Sequence, residues 1–582
     1  MRAHLAALAL LITAACATHD ARKGPPGQAL SVTTEIDEHA LREHTRILSS
    51  DAFEGRAPGT PAEEKTVNYI AAEMEKAGLK PGNGTGWFQQ VPLIETRLDP
   101  AMRFAFAGRG ALVLAYGADI MVDTKRTTPT VSIADSPVVF VGYGIHAPER
   151  GWDDYAGVDV RGKTVLLLVN DPDWRLPVGQ GAFGGRAMTY YGRWNYKHDE
   201  AALRGAAAVL VIHQTEPAAY PWSVVTSSWS GPRIDIARED RGASRPAFEG
   251  WITGAAANSL LRAAGTTLAD AEARAGRPGF KAIPIPLKLT ATSSNAVRPF
   301  ASRNVIGILP GRTRPGEFVL YTAHWDHLGH CPPAANGDDI CNGALDNASG
   351  VAGLLALAKA QVNAGPAARS ILFLSVTGEE SNLLGSGYYA AHPVYPLAQT
   401  VGGVNMDGLN VIGRTSDLVI VGAGKSELEP LLAAAAARQS RRIEPEPTPE
   451  KGYYYRSDHF SFAKLGVPML DAESGIDVRG KGKAYGQAAN DDYTAHRYHQ
   501  PSDEYDANWD WSGAIEDLAL YYNVGRQLAE SRRWPNWYPT AEFRAARDAS
   551  RVGQPAISPP GKGERVRPGR DDGERPADAP RP

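Results

Sequence analysis

From Asn304 onward, short apolar runs typical of strands alternate with stretches that have the apolar spacing of a helix. The strand-like runs are residues 318–323, 371–376, 401–406, 418–421 and 467–470, and the helical stretches are 350–362, 427–438 and 514–531. Strands that alternate with helices form βαβ units, in which helices cover both faces of a largely parallel sheet. The sequence therefore predicts an α/β fold with a mixed, mostly parallel central sheet flanked by helices.

Side chains that can bind a metal follow these strands or lie next to the helices. They are His324, Asp326, Asp346, Glu379, Glu380, Asp407 and His499. Ligands of open α/β sheets bind beyond the carboxyl ends of the strands. We therefore expect these side chains to meet at one edge of the sheet.

Each of these residues also has a simpler explanation when it is taken alone. A carboxylate before a helix can cap it or favour its dipole, and a lone histidine is more often a surface residue than a ligand. These explanations leave like charges crowded at one sheet edge, whereas a bound dication removes that repulsion. Imidazole and carboxylate ligands favour zinc, and their number matches a two-metal site. Asp326 is predicted to accept a hydrogen bond from the second imidazole nitrogen of His324.

Five motifs occur in a fixed order: HWDHLG, NGALDNASGVAGLLALA, TGEESNLLGS, NMDG and YHQPSDEYD. Together they resemble the co-catalytic zinc aminopeptidases of metallopeptidase family twenty-eight. The segment VGYGIHAPERGWDDYAGVDVRGKTVLLLVNDP is similar to the protease-associated (PA) domain that many members carry. The resemblance covers about residues 36–530, and it implies a zinc aminopeptidase (phosphorylase/hydrolase-like) fold with an inserted β-rich PA domain.

The resemblance also implies a ligand set for two Zn²⁺ ions. The metal ligands would be His324, Asp346, Glu380, Asp407 and His499. Asp346 would bridge the two ions, with His324 and Asp407 at one of them and Glu380 and His499 at the other. The peptide bond after the bridging aspartate is often cis in this family, so the bond from Asp346 to Asn347 is expected to be cis.

The predicted catalytic residues are Glu379 and Tyr498, which the resemblance implies, and Asp326, which is expected to orient His324. Two ions lower the pKa of a bridging water, so that hydroxide exists near neutral pH. Glu379, the general base, would accept the proton of that water and deliver it to the leaving amine. Tyr498 matches a tyrosine that contacts the substrate carbonyl in some members. The expected activity is hydrolysis of the first peptide bond of peptides that have a free amino terminus.

Two other functions compete with this one. A carboxypeptidase or dipeptidase on the same scaffold would need a cationic pocket, for which Arg456 and Arg497 are candidates. A non-catalytic, receptor-like binding protein is disfavoured because the full ligand set is retained. Nucleic acid is not an expected partner, because the net charge is -4 and no block of Lys and Arg precedes the tail.

The substrate pocket is predicted around Tyr455, Asp458 and His459. An aromatic cluster at residues 453–455 is typical of a pocket for apolar side chains. The same tyrosines are also compatible with ordinary packing within a strand.

The amino terminus has the pattern of an export signal. Arg2 is followed by an apolar run over residues 6–15, which is too short for the roughly 20 residues that span a bilayer. Residues 13–16, Thr-Ala-Ala-Cys, resemble a bacterial lipobox, which favours lipidation of Cys16 over ordinary cleavage near Ala17. The expected location is the bacterial cell envelope, either periplasmic and anchored to the outer membrane by lipid, or secreted. The lipid anchor is the one expected contact with a membrane.

Cys331 and Cys341 form an even pair in a chain expected to enter an oxidising compartment, which predicts a disulfide between them. Metal thiolates are the weaker alternative, because histidine and carboxylate ligands are plentiful nearby. The same loop carries His327, His330, Asp338 and Asp339, which we leave out of the predicted metal set.

These patterns divide the chain into six segments. They are a signal peptide at 1–17, a linker at 18–34, the first part of the catalytic domain at 35–130, the PA-like insert at 131–292, the second part of the catalytic domain at 293–540 and a disordered tail at 541–582. One helix is predicted over residues 255–275 of the insert.

Overall fold

The computed structural model describes residues 36–553. The predicted signal peptide with Cys16, the linker and the tail beyond residue 553 lie outside the described residues. Within 36–553, no helix combines the length and the apolar character needed to cross a bilayer.

The centre of the fold is a set of parallel strands. Arg314–His324 lies between Arg369–Val376 and Thr400–Asn405 and runs parallel to both, and Met469–Leu470 extends the set beyond Thr400–Asn405. His324 is paired with Val376, and Thr322 is paired with Asn405, so the three longer strands end at the same edge of the sheet. Helices cover both faces of these strands, and the predicted α/β class with a mixed central sheet is confirmed.

The two faces are covered by different apolar clusters. Val319 and Tyr321 point into the larger cluster, whereas Phe318 and Leu320 point into the smaller one, as the alternation of a strand requires. The larger cluster receives side chains from the helices Glu38–Leu48, Pro61–Ala77, Gly350–Asn363, Glu429–Arg438 and Ser512–Glu530. The smaller cluster receives them from Leu384–Ala391 and His459–Lys464.

One long strand, Ile283–Leu309, joins the parallel strands to the rest of the sheet. Its last residues pair with Arg369–Val376, and its middle pairs with Phe88–Leu98. Its first residues pair with Thr130–Phe140 and Arg103–Gly108. The sheet continues beyond this strand through Thr164–Leu168, Ala208–His213, Phe248–Thr253 and Ile120–Asp123.

A third apolar cluster fills this second part of the fold and draws on residues between Leu98 and Ala291. The single helix predicted over 255–275 is wrong, since the structure has two, Gly254–Ala263 and Leu268–Ala275. Gly265 has a φ of +76°, and the Thr267 side chain accepts a hydrogen bond from the Asp270 amide, which starts the second helix. The boundaries of the insert and its assignment as a PA domain stay predictions.

The remaining elements are shorter or lie at the periphery. The helices among them are Trp194–Leu203, Thr215–Ala218, Trp222–Ser228, Lys483–His496 and Arg544–Ser550. The strands are Lys80–Pro81, Gly110–Ala115, His146–Ala147, Trp152–Asp153, Arg233–Ile236, Gly329–His330, Ile340–Cys341, Asp417–Ile420, Arg442–Glu444 and Ala472–Ser474.

The predicted start of the disordered tail at residue 541 is too early. The helix Arg544–Ser550 packs on the fold, and Phe543 and Arg547 are buried. The Arg547 guanidinium donates a hydrogen bond to the carbonyl oxygen of Thr400, at the start of a central strand, over 2.9 Å. This hydrogen bond from a buried guanidinium holds the segment in place, although the charged sequence of the segment resembles that of a tail.

The buried Arg56 joins the amino-terminal segment to the loops around the strand ends. Its guanidinium donates to four backbone carbonyl oxygens, those of Leu48, Trp325, Asn342 and Gly343, over 2.6–2.9 Å. We expect Arg56→Met to lower the free energy of unfolding by at least about 3 kcal/mol, because four buried acceptors lose their donors. Denaturant unfolding measures this loss. The exposed Arg161→Gln is the control and should keep the wild-type midpoint, and an unchanged midpoint for Arg56→Met would contradict the prediction.

Candidate metal and catalytic site

The strand ends bring the predicted ligands to one place. His324 is the last residue of its strand, Asp407 follows Thr400–Asn405 by two residues, and Glu380 follows Arg369–Val376 by four. Asp346 lies in the irregular turn Ala344–Ser349, directly before the helix Gly350–Asn363.

Gly343 makes this turn possible. Its φ is +55°, and a Cβ atom there would lie 2.2 Å from the carbonyl oxygen of Asp346 and 2.5 Å from the ring of His327. Only glycine fits that position. The peptide bond between Asp346 and Asn347 is cis.

The first group of ligands surrounds the imidazole of His324. Its Nε2 lies 3.1 Å from Oδ1 of Asp407 and 3.3 Å from Oδ1 of Asp346. Its Nδ1 lies 3.1 Å from the main-chain carbonyl oxygen of Asp326. A carbonyl oxygen can only accept, so Nδ1 carries the hydrogen and the lone pair of a neutral imidazole faces two carboxylates. These three atoms are arranged as the ligands of a bound cation would be.

The second group shares Asp346 with the first. Nε2 of His499 lies 3.2 Å from Oδ2 of Asp346 and 3.1 Å from Oε2 of Glu380. The two carboxylate oxygens of Asp346 therefore face different imidazoles. This is the geometry of a carboxylate shared between two metal positions.

The electrostatics of both groups indicate the same requirement for positive charge. Burial opposes the charge on His324, yet Asp407 and Asp346 raise its pKa well above the usual range. Burial likewise opposes the charge on His499, and Glu380 and Asp346 nevertheless raise its pKa to about 10. The donor set, with imidazole and carboxylate on each side of a shared aspartate, fits two Zn²⁺ ions.

Glu379 lies beside these groups and contacts a different residue. Its backbone amide donates to Oδ1 of Asp326 over 3.1 Å. Burial raises the pKa of the Glu379 carboxyl well above its usual range, and the nearby Asp407 and Glu380 raise it further. A half-buried carboxylate outside the ligand groups can accept a proton.

Asp326 differs from its predicted role. Its carboxylate Oδ1 lies 3.8 Å from Nδ1 of His324, too far for a hydrogen bond. The main-chain oxygen of the same residue takes that place, and the carboxylate instead holds the backbone of Glu379. Burial raises the pKa of Asp326 to about 7.

His327 was left out of the predicted metal set, and the structure places it in the site. Its Nδ1 lies 2.7 Å from Oε1 of Glu380, and its buried Nε2 has no partner among the described residues. His327, Asp346 and Glu380 also form a possible set of metal ligands, because their ligand atoms all lie within 4.8 Å of one another. The signal for this residue is its place three positions after His324.

We expect His327→Ala to weaken zinc binding at the Glu380 side by about 10–100-fold, because Glu380 loses the partner that orients it. Zinc titration of the metal-free protein against a competing chelator measures the change. His330→Ala, in the same loop and 61% exposed, is the matched control. Equal zinc affinities for the two variants would argue against a role for His327.

Two further residues position the ligands without having been predicted. Oγ of Ser457 donates to Oδ2 of Asp407 over 2.6 Å. The carboxylate of Asp503 accepts hydrogen bonds from the backbone amides of Leu345 and Asp346, both over 3.1 Å. Both contacts join segments far apart in the chain, and therefore no local pattern indicates them.

Tyr498 lies at the surface of the site. Its ring stacks on that of His499 with 3.9 Å between the ring centroids, and 39% of the residue is exposed. Partial burial, followed by the charges of Asp346 and Glu380, raises the pKa of its hydroxyl above the usual range. The hydroxyl therefore stays protonated and can donate a hydrogen bond.

The predicted substrate pocket around Tyr455, Asp458 and His459 is wrong. Asp458 and His459 are completely buried, and Tyr455 is 2% exposed, so none of the three can touch a substrate side chain. The hydroxyl of Tyr455 donates to Oε1 of Glu542 over 2.7 Å, inside an aromatic cluster. Residues Tyr453–Tyr455 form a single turn rather than a strand.

A disulfide joins Cys331 to Cys341 in the loop that carries His327. The two Cα atoms are 5.9 Å apart. The bond closes the loop between the short paired strands Gly329–His330 and Ile340–Cys341.

Comparisons with known proteins agree with the motifs. The sequence pattern of peptidase family M28 matches residues 304–523. Aminopeptidase YwaD of Bacillus subtilis (strain 168) is 26% identical over 344 residues, which cover 59% of this chain and 55% of that protein. The matched region thus spans about half the length of that curated relative.

Two solved structures are similar to this chain. The aminopeptidase from Aneurinibacillus sp. strain AM-1 has a TM-score of 0.44 and 21% identity, over 85% of this chain and 94% of that one. BSAP, a zinc aminopeptidase from Bacillus subtilis, has a TM-score of 0.39 and 17% identity, over 88% of this chain and 98% of that one.

Proposed function

We propose that this chain, which carries a domain of peptidase family M28 in residues 304–523, is a zinc-dependent aminopeptidase. The observation that carries the proposal is the position of Asp346, whose two carboxylate oxygens face the imidazoles of His324 and His499. The name of the curated relative, an aminopeptidase, supports the same activity.

Each metal position would have its own residues on either side of Asp346. His324 and Asp407 would hold one Zn²⁺, and Glu380 and His499 would hold the other. When bound, two zinc ions polarise the scissile carbonyl and lower the pKa of water, so that attack occurs near neutral pH. Ser457 and His327 would orient the carboxylates of Asp407 and Glu380 toward the ions.

Glu379 would move the proton. Its backbone is fixed by Asp326, and its carboxylate is outside both ligand groups, which leaves it free to accept the proton of the attacking water. It would then return that proton to the leaving nitrogen as the carbon–nitrogen bond breaks. Tyr498, exposed beside His499, would donate a hydrogen bond to the oxygen that becomes negative.

The sheet edge beside Asp407 suits a free amino group better than a carboxylate. Val404 is paired with Leu470, and therefore Asp407 and Glu473, each three residues further on, lie at the same edge. Glu473 is exposed there, and its negative charge adds to that of Asp407. An ammonium group would relieve this surplus of negative charge, which favours cleavage at the amino terminus.

Metal removal and substrate blocking together test the proposal. Dialysis against a chelator should abolish hydrolysis of aminoacyl substrates, and about two zinc ions per chain should restore it, as a two-metal site requires. Metal content is measured alongside activity. Acyl-blocked versions of the same substrates should stay intact. Full activity after complete metal removal, or cleavage of blocked substrates, would overturn the proposal.

We propose also that the chain is exported to the cell envelope and anchored through Cys16. The apolar run at residues 6–15 and the lipobox-like sequence before Cys16 support this proposal. The disulfide between Cys331 and Cys341 also supports it, since such bonds persist mainly in oxidising compartments. Cell fractionation of the full chain and of Cys16→Ser tests it, and an unchanged membrane fraction for the variant would exclude the anchor.

A further inference from the structure

We infer that Arg193 and Arg456 form a subsite for a substrate carboxylate beside the catalytic cleft. The preferred substrates would then be short peptides, whose terminal carboxylate lies one or two residues beyond the bond that is cut. This inference rests on the proposed aminopeptidase function and specifies its substrate class.

Arg456 lies next to the candidate metal site in the chain and in space. It directly follows the turn Tyr453–Tyr455 and precedes Ser457, whose hydroxyl is 2.6 Å from the carboxylate of Asp407. Its side chain is exposed, and its guanidinium lies 5.1 Å from the centre of the Tyr453 ring. An exposed cation therefore lies beside the candidate metal site.

Arg193 reaches the same place from the second part of the fold. The amide of Met188 donates to the carbonyl oxygen of Pro449 over 3.1 Å, which joins the segment before Arg193 to the segment before Arg456. A Cβ atom on Gly452 would lie 3.4 Å from Cδ of Arg193. Burial, followed by the like charge of Arg456, lowers the pKa of Arg193 to about 10.

Neither cation has a carboxylate partner or a side-chain hydrogen bond within residues 36–553, and the buried Nε of Arg193 is unsatisfied. Nearby arginines are paired: Arg186 with Glu450 at 3.1 Å, and Arg497 with Asp492 at 3.5 Å. The two guanidinium groups repel each other, and no carboxylate within residues 36–553 neutralises them. They therefore favour the binding of an anion. A carboxylate fits best, because each guanidinium offers parallel N–H donors.

The surroundings of the two cations strengthen this preference. The ring of Tyr453, over which the Arg456 guanidinium lies, is itself partly exposed. Aromatic walls reduce the access of water, which strengthens the attraction between an arginine and a carboxylate.

Free and amidated dipeptides distinguish this subsite. With the zinc-loaded full chain, kcat/KM for Ala-Ala should exceed that for Ala-Ala amide by about tenfold or more, as expected of a charge-assisted pair. In Arg456→Gln and in Arg193→Gln this ratio should fall to about 1–2, since one donor pair is lost. Arg497→Gln, whose arginine is already paired, is the matched control and should keep the wild-type ratio.

A second measurement uses the wild-type protein and requires no variant. N-acetylglycine should inhibit hydrolysis of Ala-Ala amide competitively, and its amide should inhibit far less. Equal rates on free and amidated dipeptide, or equal inhibition by both compounds, would overturn the subsite and leave the aminopeptidase activity intact. A chain that cuts neither dipeptide would overturn the proposed function and the subsite with it.

Discussion

Glu379→Gln should lower kcat by roughly 10²–10⁴-fold, the contribution that a positioned general base makes to proton transfer, while zinc content stays at the wild-type value. The substitution keeps the shape of the side chain and removes its ability to accept a proton. Glu379 contacts Asp326 through its backbone amide, and this contact survives the change. Steady-state kinetics on an aminoacyl substrate, with metal analysis of the same preparation, measure both quantities.

Glu444→Gln is the matched control for this experiment. Glu444 is a surface glutamate that pairs with Arg442, away from the ligand groups, and its replacement should leave kcat unchanged. A Glu379→Gln protein with wild-type kcat would remove Glu379 from the mechanism. Loss of zinc in the same variant would make it a ligand instead.

Asp346→Asn should have the second large effect, a loss of zinc at both positions. Removing a shared ligand should weaken binding by more than the 10–100-fold that is typical of a residue that only orients a ligand. Asp346 faces both His324 and His499, whereas Asp407 faces His324 alone. Asp407→Asn should therefore weaken one site and spare the other. Zinc titration with calorimetry separates one-site from two-site loss.

Activity should follow metal content in these variants. Asp346→Asn is expected to be inactive at zinc concentrations that saturate the wild type. The control is Asn508→Asp, which replaces an amide by a carboxylate in an exposed turn. It should alter neither the zinc content nor the activity. If Asp346→Asn still bound two zinc ions with wild-type affinity, the shared position of this aspartate would have no functional meaning.

The sequence was sufficient to predict the meeting of the ligands at one sheet edge. Strand periodicity located the strand ends, and a parallel sheet brings successive strand ends together. His324 and Asp407 could therefore be placed side by side from chain pattern alone, and the structure has them 3.1 Å apart. Asp346 could be placed because a helix begins directly after its turn.

The residues that orient the ligands could not be predicted in the same way. Asp503 binds the amides of Leu345 and Asp346 across more than 150 positions of chain. His327 lies within a loop whose path is fixed by the disulfide between Cys331 and Cys341. No periodic pattern describes such a loop, and the sequence therefore did not indicate the contact of His327 with Glu380.

The predicted pocket failed for a related reason. Tyr455 has the composition of a pocket residue, but its hydroxyl is satisfied by Glu542, a residue assigned to the disordered tail in the sequence-based division. The proposed subsite of Arg193 and Arg456 likewise depends on the segments around Met188 and Pro449, which meet in space. Contacts between distant segments decide both cases, and single-sequence patterns do not contain them.

The strand Ile283–Leu309 has a consequence for how this protein can change during evolution. It pairs Ile283 with Phe140 at one end and Leu309 with Ile371 at the other, so one continuous strand connects the part of the fold that contains Arg193 to the strands that carry the candidate zinc ligands. Adding or removing one residue there would turn the side chains beyond that point to the opposite face. New substrate preferences can therefore arise by exchanging side chains, whereas changes of length in this strand would separate Arg193 from the candidate metal site.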